Sequence, residues 1–295
     1  MTNSQKSYIF AGITIIFWST IPSAFKLALS EVNIFSLLFV SIITSFFILF
    51  ISVFIQKKIS VIFHLSLKDT VYSLALGIFN PFLYYVVIFN AYSLLPAQIA
   101  HTINFIWPIV LVLLSIPILK SKISFKILMA MFISFSGVVF ISAQGKMDFS
   151  NWANLKGISL ALTSTIIWCL FWLFNVRDKK EAEIKLFLNF FASAVIIILY
   201  SFLFKEKISL STKGLVYSIY IGCFEMGFAF IFWMKALEYA ESTDKVSNLI
   251  YLTPFLSLIV IHFVLGEKIF LTTFIGLVLI ITGILFQQYL KKKFD

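Results

Sequence analysis

Charge is what this chain has least of. Asp, Glu, Lys and Arg make up 12% of its 295 residues, about half the share of an ordinary soluble domain. With 61% hydrophobic residues and a mean hydropathy of +1.02, no water-soluble fold could hide so much apolar surface. There are two cysteines, Cys169 and Cys223. Both fall inside apolar runs, so they pack as small hydrophobes and build no disulfide framework. The three histidines, His64, His101 and His262, stand at no metal-ligand spacing from Cys or acidic residues. No GxxxxGK[ST] loop is present to hold nucleotide phosphates, so ATP would need a partner subunit to drive this chain. A GxSxG nucleophile motif and a cluster of intramembrane carboxylates are both missing, which argues against an enzyme. No metal and no cofactor are expected. The basic residues are scattered among apolar spans without an aromatic-interleaved module, which argues against nucleic acid as a partner.

What the chain has in abundance is long apolar runs. A bilayer core roughly 30 Å thick needs about 20 apolar residues per helix. Ten such runs are predicted, near 8–29, 33–55, 70–92, 97–119, 124–143, 155–176, 184–204, 214–237, 246–265 and 270–290. The first is too long for a signal peptide and lacks a small-residue cleavage site, so it is expected to stay in the protein. With ten spans both termini share one side. Placing them in the cytoplasm puts sixteen of the 23 Lys and Arg there, as the bias of basic loops against translocation requires. The net charge of +10 is then a topology signal, with attraction to anionic lipid of the bilayer as a second effect. The expected location is the cell (inner) membrane, multi-pass.

The chain also repeats itself. At an offset of 146, INFIWPIVLVLLSIPILKSKI reads over LIYLTPFLSLIVIHFVLGEKI without a gap, placing Pro108 on Pro254, Lys122 on Lys268, and, further along, Gly137 on Gly283. Earlier, IIFWST at 15–20 resembles TIIWCL at 165–170, with Trp18 over Trp168 at an offset of 150. Five spans precede the break near Gly145 to Asn154 and five follow it. Five is odd, so the second copy enters the membrane from the opposite side. The predicted fold is an all-α membrane protein of ten transmembrane helices in two inverted five-helix repeats, 1–145 and 146–295. Internal duplication of this kind marks transporters.

Polar groups inside apolar spans mark where a solute could sit, because each must find a partner or face a cavity. In the fourth span His101, Asn104, Phe105 and Pro108 share a side, with Trp107 flanking them. The ninth repeats the arrangement with Asn248, Tyr251 and Phe255, the offset making Tyr251 the counterpart of Phe105. The third carries Asn80-Pro81 followed by Tyr84 and Tyr85; the sixth carries Trp168, Trp172 and Asn175. Pro81, Pro108 and Pro254 each remove an internal hydrogen bond and are expected to bend their helices. The competing reading is packing: Asn and Pro serve helix contacts, and 18% of the chain is aromatic. Glu225 is the sharpest residue, lying near mid-span in IYIGCFEMGFAFIFW. It could be a proton site, bind a substrate amine, or be a neutral carboxyl bonded to a neighbouring helix. Lys26, toward the end of the first span, reads as a snorkelling anchor, and His262 as a packing histidine.

The order and spacing of FWST in the first span, NFIWP in the fourth, GFAFIFWMKAL in the eighth, a Pro in the ninth, LGEKI after it and the closing GLVLIITGILF resemble the drug/metabolite transporter superfamily, EamA type. The resemblance runs over essentially the whole chain. It implies a ten-helix bundle in two inverted halves, cytoplasmic termini, a central cavity and, commonly, export of amino acids or other small metabolites. NFIWP and its aromatic neighbours are most similar to bacterial aromatic amino-acid exporters. One departure is Lys120-Ser121-Lys122 where the second copy has Gly266-Glu267-Lys268.

The function expected is a secondary transporter, exporting amino acids or related amphiphilic compounds by alternating access. A channel or facilitator for small solutes and a membrane-embedded enzyme are the alternatives. The expected substrate-binding set is Tyr84, His101, Asn104, Phe105, Trp107, Trp168, Trp172, Glu225, Asn248 and Tyr251, with a proton as the candidate coupling ion and the lipid bilayer as surroundings.

Overall fold

A computed structural model describes residues 1–119, 125–142, 152–241 and 243–294. Among the described residues every regular element is helical and there is no strand, as the bilayer demands of a chain whose backbone polar groups find no water. The helices are α1 (Asn3–Glu31), α2 (Ile34–Ile55), the short α3 (Ile59–Phe63), α4 (Leu67–Leu94), α5 (Ala97–Asn104), α6 (Trp107–Leu119), α7 (Phe125–Ser142), α8 (Trp152–Asn175), α9 (Ala182–Phe204), α10 (Thr212–Glu238), α11 (Thr243–Asn248), α12 (Thr253–Leu265) and α13 (Leu271–Phe294). Eight segments are long and apolar enough to cross a membrane, α5 and α6 counting together as one and α11 and α12 as another. The apolar parts of α7 and α13 are shorter, Met129–Ile141 and Leu271–Phe286.

Polar caps fix where the helices begin. Thr2 and Gln5 form a reciprocal capping box on α1, and the side chains of Asn33, Ser66 and Ser211 accept the first free N–H groups of α2, α4 and α10. Interruptions come at matching places in the two halves. In α4 the extended residue Asn80 (φ −145°, ψ 124°) precedes Pro81, since the residue before a proline is pushed out of the helical region. In α10 the helix widens over Gly222–Gly227. The fourth span, expected as one helix, is two: Pro108 cannot bond back to Asn104, and the chain turns at Phe105 and Ile106 between α5 and α6. A tight turn, Leu249–Leu252, likewise separates α11 from α12, whose second residue is Pro254.

The packing keeps the same form when the halves are exchanged. Helix α1 lies against α10 and α12, as α8 lies against α4 and α6; α2 meets α9, and α7 meets α13. Ser45 Oγ donates to the carbonyl of Gly222 at 2.8 Å and Ser193 Oγ to that of Gly77 at 2.7 Å, tying one serine to the first residue of the widened turn and the other to the last residue before the Asn80 interruption. At the α7–α13 crossing Ser134 Oγ donates to the carbonyl of Ile280, 146 residues away, at 3.0 Å. Gly137 faces Gly276 and Ala130 faces Gly283, so the two helices run antiparallel. A Cβ on Gly137 would stand 2.5 Å from the Gly276 carbonyl oxygen, so the close approach requires glycine. Without a hydrophobic drive between helices in lipid, such small-residue contacts carry the association.

Turns at the two ends identify themselves by their partners. At one end Lys58 pairs with Glu181 (2.6 Å), Lys180 with Asp178 (2.8 Å), and Arg177 donates to the Ile118 carbonyl. At the other, Ser211 donates to Glu31 and Gln98 to the Lys268 carbonyl.

Candidate functional site

A cavity of about 550 Å³ opens between α1, α4, α5, α6, α8, α10 and the α11–α12 turn, within the range of small-molecule sites. Its centre is where the halves meet: the rings of Phe105 and Tyr251, equivalent positions in the repeat, stand edge to face with centroids 6.2 Å apart. Five tryptophans line it, Trp18, Trp107, Trp168, Trp172 and Trp233. Trp168 stacks on Phe230 at 6.2 Å, tilts against Tyr84 at 4.9 Å and meets Trp172 edge-on at 5.8 Å. Trp18 packs on the other edge of Phe230 and on Trp233, at 6.2 and 5.6 Å. Rings from α1 and α8 therefore converge on one ring of α10.

Glu225 sits in the widened part of α10 and lines the cavity. Its Oε1 accepts a hydrogen bond from the buried Tyr85 hydroxyl at 3.0 Å, and the Trp18 indole N–H points at its backbone carbonyl at 3.4 Å. Next to it a polar chain runs from the Tyr84 hydroxyl to Asn104 Oδ1 (3.3 Å) and from Asn104 Nδ2 to Ser164 Oγ (2.8 Å). His101 Nε2 and Thr253 Oγ1, both in the lining, are buried without a hydrogen-bond partner. No group of three or more His, Cys, Asp or Glu among the described residues is arranged to hold a metal ion.

The two ends of the cavity differ. Toward the Lys58 and Arg177 end the lining finishes at Val176, 77% exposed. Toward the other end it finishes at Phe25 and Tyr92, which are 4% and 2% exposed. Beyond them lies a polar seal. Lys26 Nζ donates to the carbonyls of Tyr92 (2.8 Å) and Leu95 (3.0 Å), so it caps the end of α4. The Glu267 carboxylate accepts the Ala97 N–H at 2.8 Å, the Gln98 N–H at 3.3 Å and the Gln98 side-chain amide at 3.3 Å, holding the start of α5. Gln98 in turn donates to the Lys268 carbonyl and accepts from Phe270 N–H and Thr273.

Nine of the ten residues expected from the sequence, Tyr84, His101, Asn104, Phe105, Trp107, Trp168, Trp172, Glu225 and Tyr251, fall in this lining together with Pro108. Asn248 does not: it is exposed, and Ser247 and Ile250 accompany Tyr251 instead. Positions three and four before Tyr251 both lie near its face, so spacing alone could not choose between them. Pro81 and Pro254 lie at the interruptions of their helices but outside the lining. The sequence reading missed Phe25 and Tyr92 entirely, and it treated Trp18, Phe230 and Trp233 only as parts of motifs. It also missed Tyr85 as the partner of Glu225 and the seal around Glu267, whose departure from the first copy was the available signal.

An "uncharacterized transporter" of Archaeoglobus fulgidus is 29% identical over 286 residues, covering 95% of this chain and 98% of the relative. A second Archaeoglobus fulgidus protein of the same description is 24% identical over 171 residues, 57% of this chain and 59% of its own length. A solved crystal structure superposes with a TM-score of 0.70 over 99% of both chains at 19% identity, a likeness of fold. The model of the EamA-like transporter family matches twice, over residues 5–143 and 155–287. The chain therefore belongs to the EamA-like transporter family.

Proposed function

We propose that this transporter moves small amphiphilic metabolites, amino acids or their relatives, by alternating access around the Phe105–Tyr251 contact, and that it runs in the exporting direction. The observation that carries this reading is a mid-bundle cavity whose lining reaches exposed Val176 at one end and stops at buried Phe25 and Tyr92, behind the Lys26 and Glu267 hydrogen bonds, at the other. The packing that survives exchange of the halves, and the antiparallel α7–α13 crossing about Ser134 and Ile280, support ten spans in two inverted repeats. In such a scaffold the mirror conformation costs little, because each half takes over the other's contacts. The open end gathers Lys58, Arg177 and Lys180, which supports a cytoplasmic opening and cytoplasmic termini.

Glu225 is the proton-handling group in this scheme. A protonated carboxyl is cheap in a lipid-embedded site, and an arriving substrate ammonium makes the ionised form favourable, so substrate entry releases a proton and substrate release recaptures one. The test is Glu225→Gln in proteoliposomes. Glutamine keeps the oxygen that Tyr85 donates to, so the fold survives, and the pH dependence of substrate counterflow is lost. Unchanged transport with unchanged pH dependence removes Glu225 from the mechanism.

A further inference from the structure

Resting on the transport reading above, we infer that the favoured cargo carries a net positive charge: an aromatic or alkyl amine without a free carboxylate, held by Glu225 within the tryptophan cage. The charge inventory of the cavity carries this. Among the described residues its lining contains one carboxylate, Glu225, and no Lys or Arg. The nearest lysine in sequence to the lining, Lys26, has its ammonium committed to the Tyr92 and Leu95 carbonyls on the far side of Tyr92.

An anion entering such a site loses its hydration and meets a second negative charge or a neutral carboxyl, whereas a cation replaces its hydration with a carboxylate and ring faces. The rings are placed for the second case. Trp18, Trp168, Phe230 and Trp233 form one connected cluster, with Phe230 between the two indoles of α1 and α8, and Glu225 lies five residues before Phe230 on the same helix. Electron-rich faces around a single carboxylate attract a desolvated ammonium and tolerate a quaternary one. The unpartnered atoms His101 Nε2 and Thr253 Oγ1 add neutral hydrogen-bonding positions suited to an indole N–H or hydroxyl, and not a fixed positive charge. A zwitterionic amino acid would satisfy Glu225 through its ammonium and leave its carboxylate among rings.

Three indoles of matched size separate these cases: N,N,N-trimethyltryptammonium, tryptophan and indole-3-propionate. The first is permanently charged, so it cannot leak through lipid as a neutral amine. In proteoliposomes of the full chain the cation is expected to be taken up with at least about tenfold lower half-saturating concentration than tryptophan. It is also expected to raise the melting temperature at concentrations where indole-3-propionate does not. Glu225→Gln should erase the preference, bringing cation and zwitterion within about twofold of each other. Tryptophan or indole-3-propionate moving as well as the cation overturns the charge inference and leaves alternating access standing. Failure of all three to move or to stabilise the protein overturns both.

Discussion

Replacing Glu267 with Gln should loosen the sealed end of the cavity by an amount the geometry sets. The carboxylate accepts two backbone N–H groups at the start of α5 and the Gln98 side-chain amide. Glutamine keeps one oxygen, so one neutral bond survives while the charge and the second acceptor go. A hydrogen bond to a charged group is worth about 1.5–3 kcal/mol and a neutral one about 0.5–1.5 kcal/mol, with about 0.3–1 kcal/mol more for negative charge at a helix N-terminus. Because Glu267 is half-buried, water replaces the two bonds that are lost, and what remains is one charged bond made neutral, about 1 kcal/mol, plus about 0.3 kcal/mol at the helix end, a net loss of about 1–1.5 kcal/mol from the closed arrangement. That shifts the balance toward opening at this end by roughly five- to twelvefold. The assay is labelling of a cysteine introduced at Leu111, a partly exposed cavity residue, in a chain with Cys169→Ser and Cys223→Ala. A membrane-impermeant maleimide is added only on the side of the Glu267 turn, in vesicles of uniform orientation. The labelling rate should rise by the same factor. A rate unchanged by Glu267→Gln would mean that this cluster does not hold the cavity shut.

Two further outcomes follow from the packing and the charges. Gly276→Val should destabilise the α7–α13 crossing, since a Cβ there would lie 2.5 Å from the Gly137 carbonyl oxygen. Overpacking of this kind costs about 1–3 kcal/mol and should appear as a fall of several degrees in thermal unfolding, while Gly12→Ala, inside α1 and with nothing within 4 Å of the added Cβ, should not lower it. Asp178, in the turn after α8, is the second case. Burial alone would raise its carboxyl, but Lys180 and the Ser73 hydroxyl hold it below the ordinary carboxylate value. A depressed folded value means its contribution is present above the unfolded value near 3.9 and lost as pH falls through the folded one. Asp178→Asn should therefore lower the melting temperature at pH 7, with the difference shrinking below about pH 4; a pH-independent difference would show that the ionised carboxylate contributes nothing.

The composition and the runs of apolar residues decided that this chain is a helical membrane protein, because about 30 Å of hydrocarbon leaves the backbone no other way to satisfy its polar groups. The offset of 146 also marked Tyr251 as the counterpart of Phe105. Phe105 and Tyr251 stand ring to ring, and Ser134 bonds to Ile280, each pair 146 residues apart. The prolines marked the interruptions for a local reason: a missing N–H acts wherever it stands.

Only the tertiary structure decided the rest. Periodicity places residues on a helix face without saying what that face meets, which is why Ser247 and not Asn248 joins Tyr251, and why Trp18 and Trp233 read as motif letters before they became walls of a cavity. Glu225 was legible as a charge inside an apolar span, but its partner, Tyr85, lies 140 residues away. The bonds from Ala97 and Gln98 to Glu267 likewise join residues about 170 apart. Pairings of that length depend on how the helices assemble, so no local pattern encodes them.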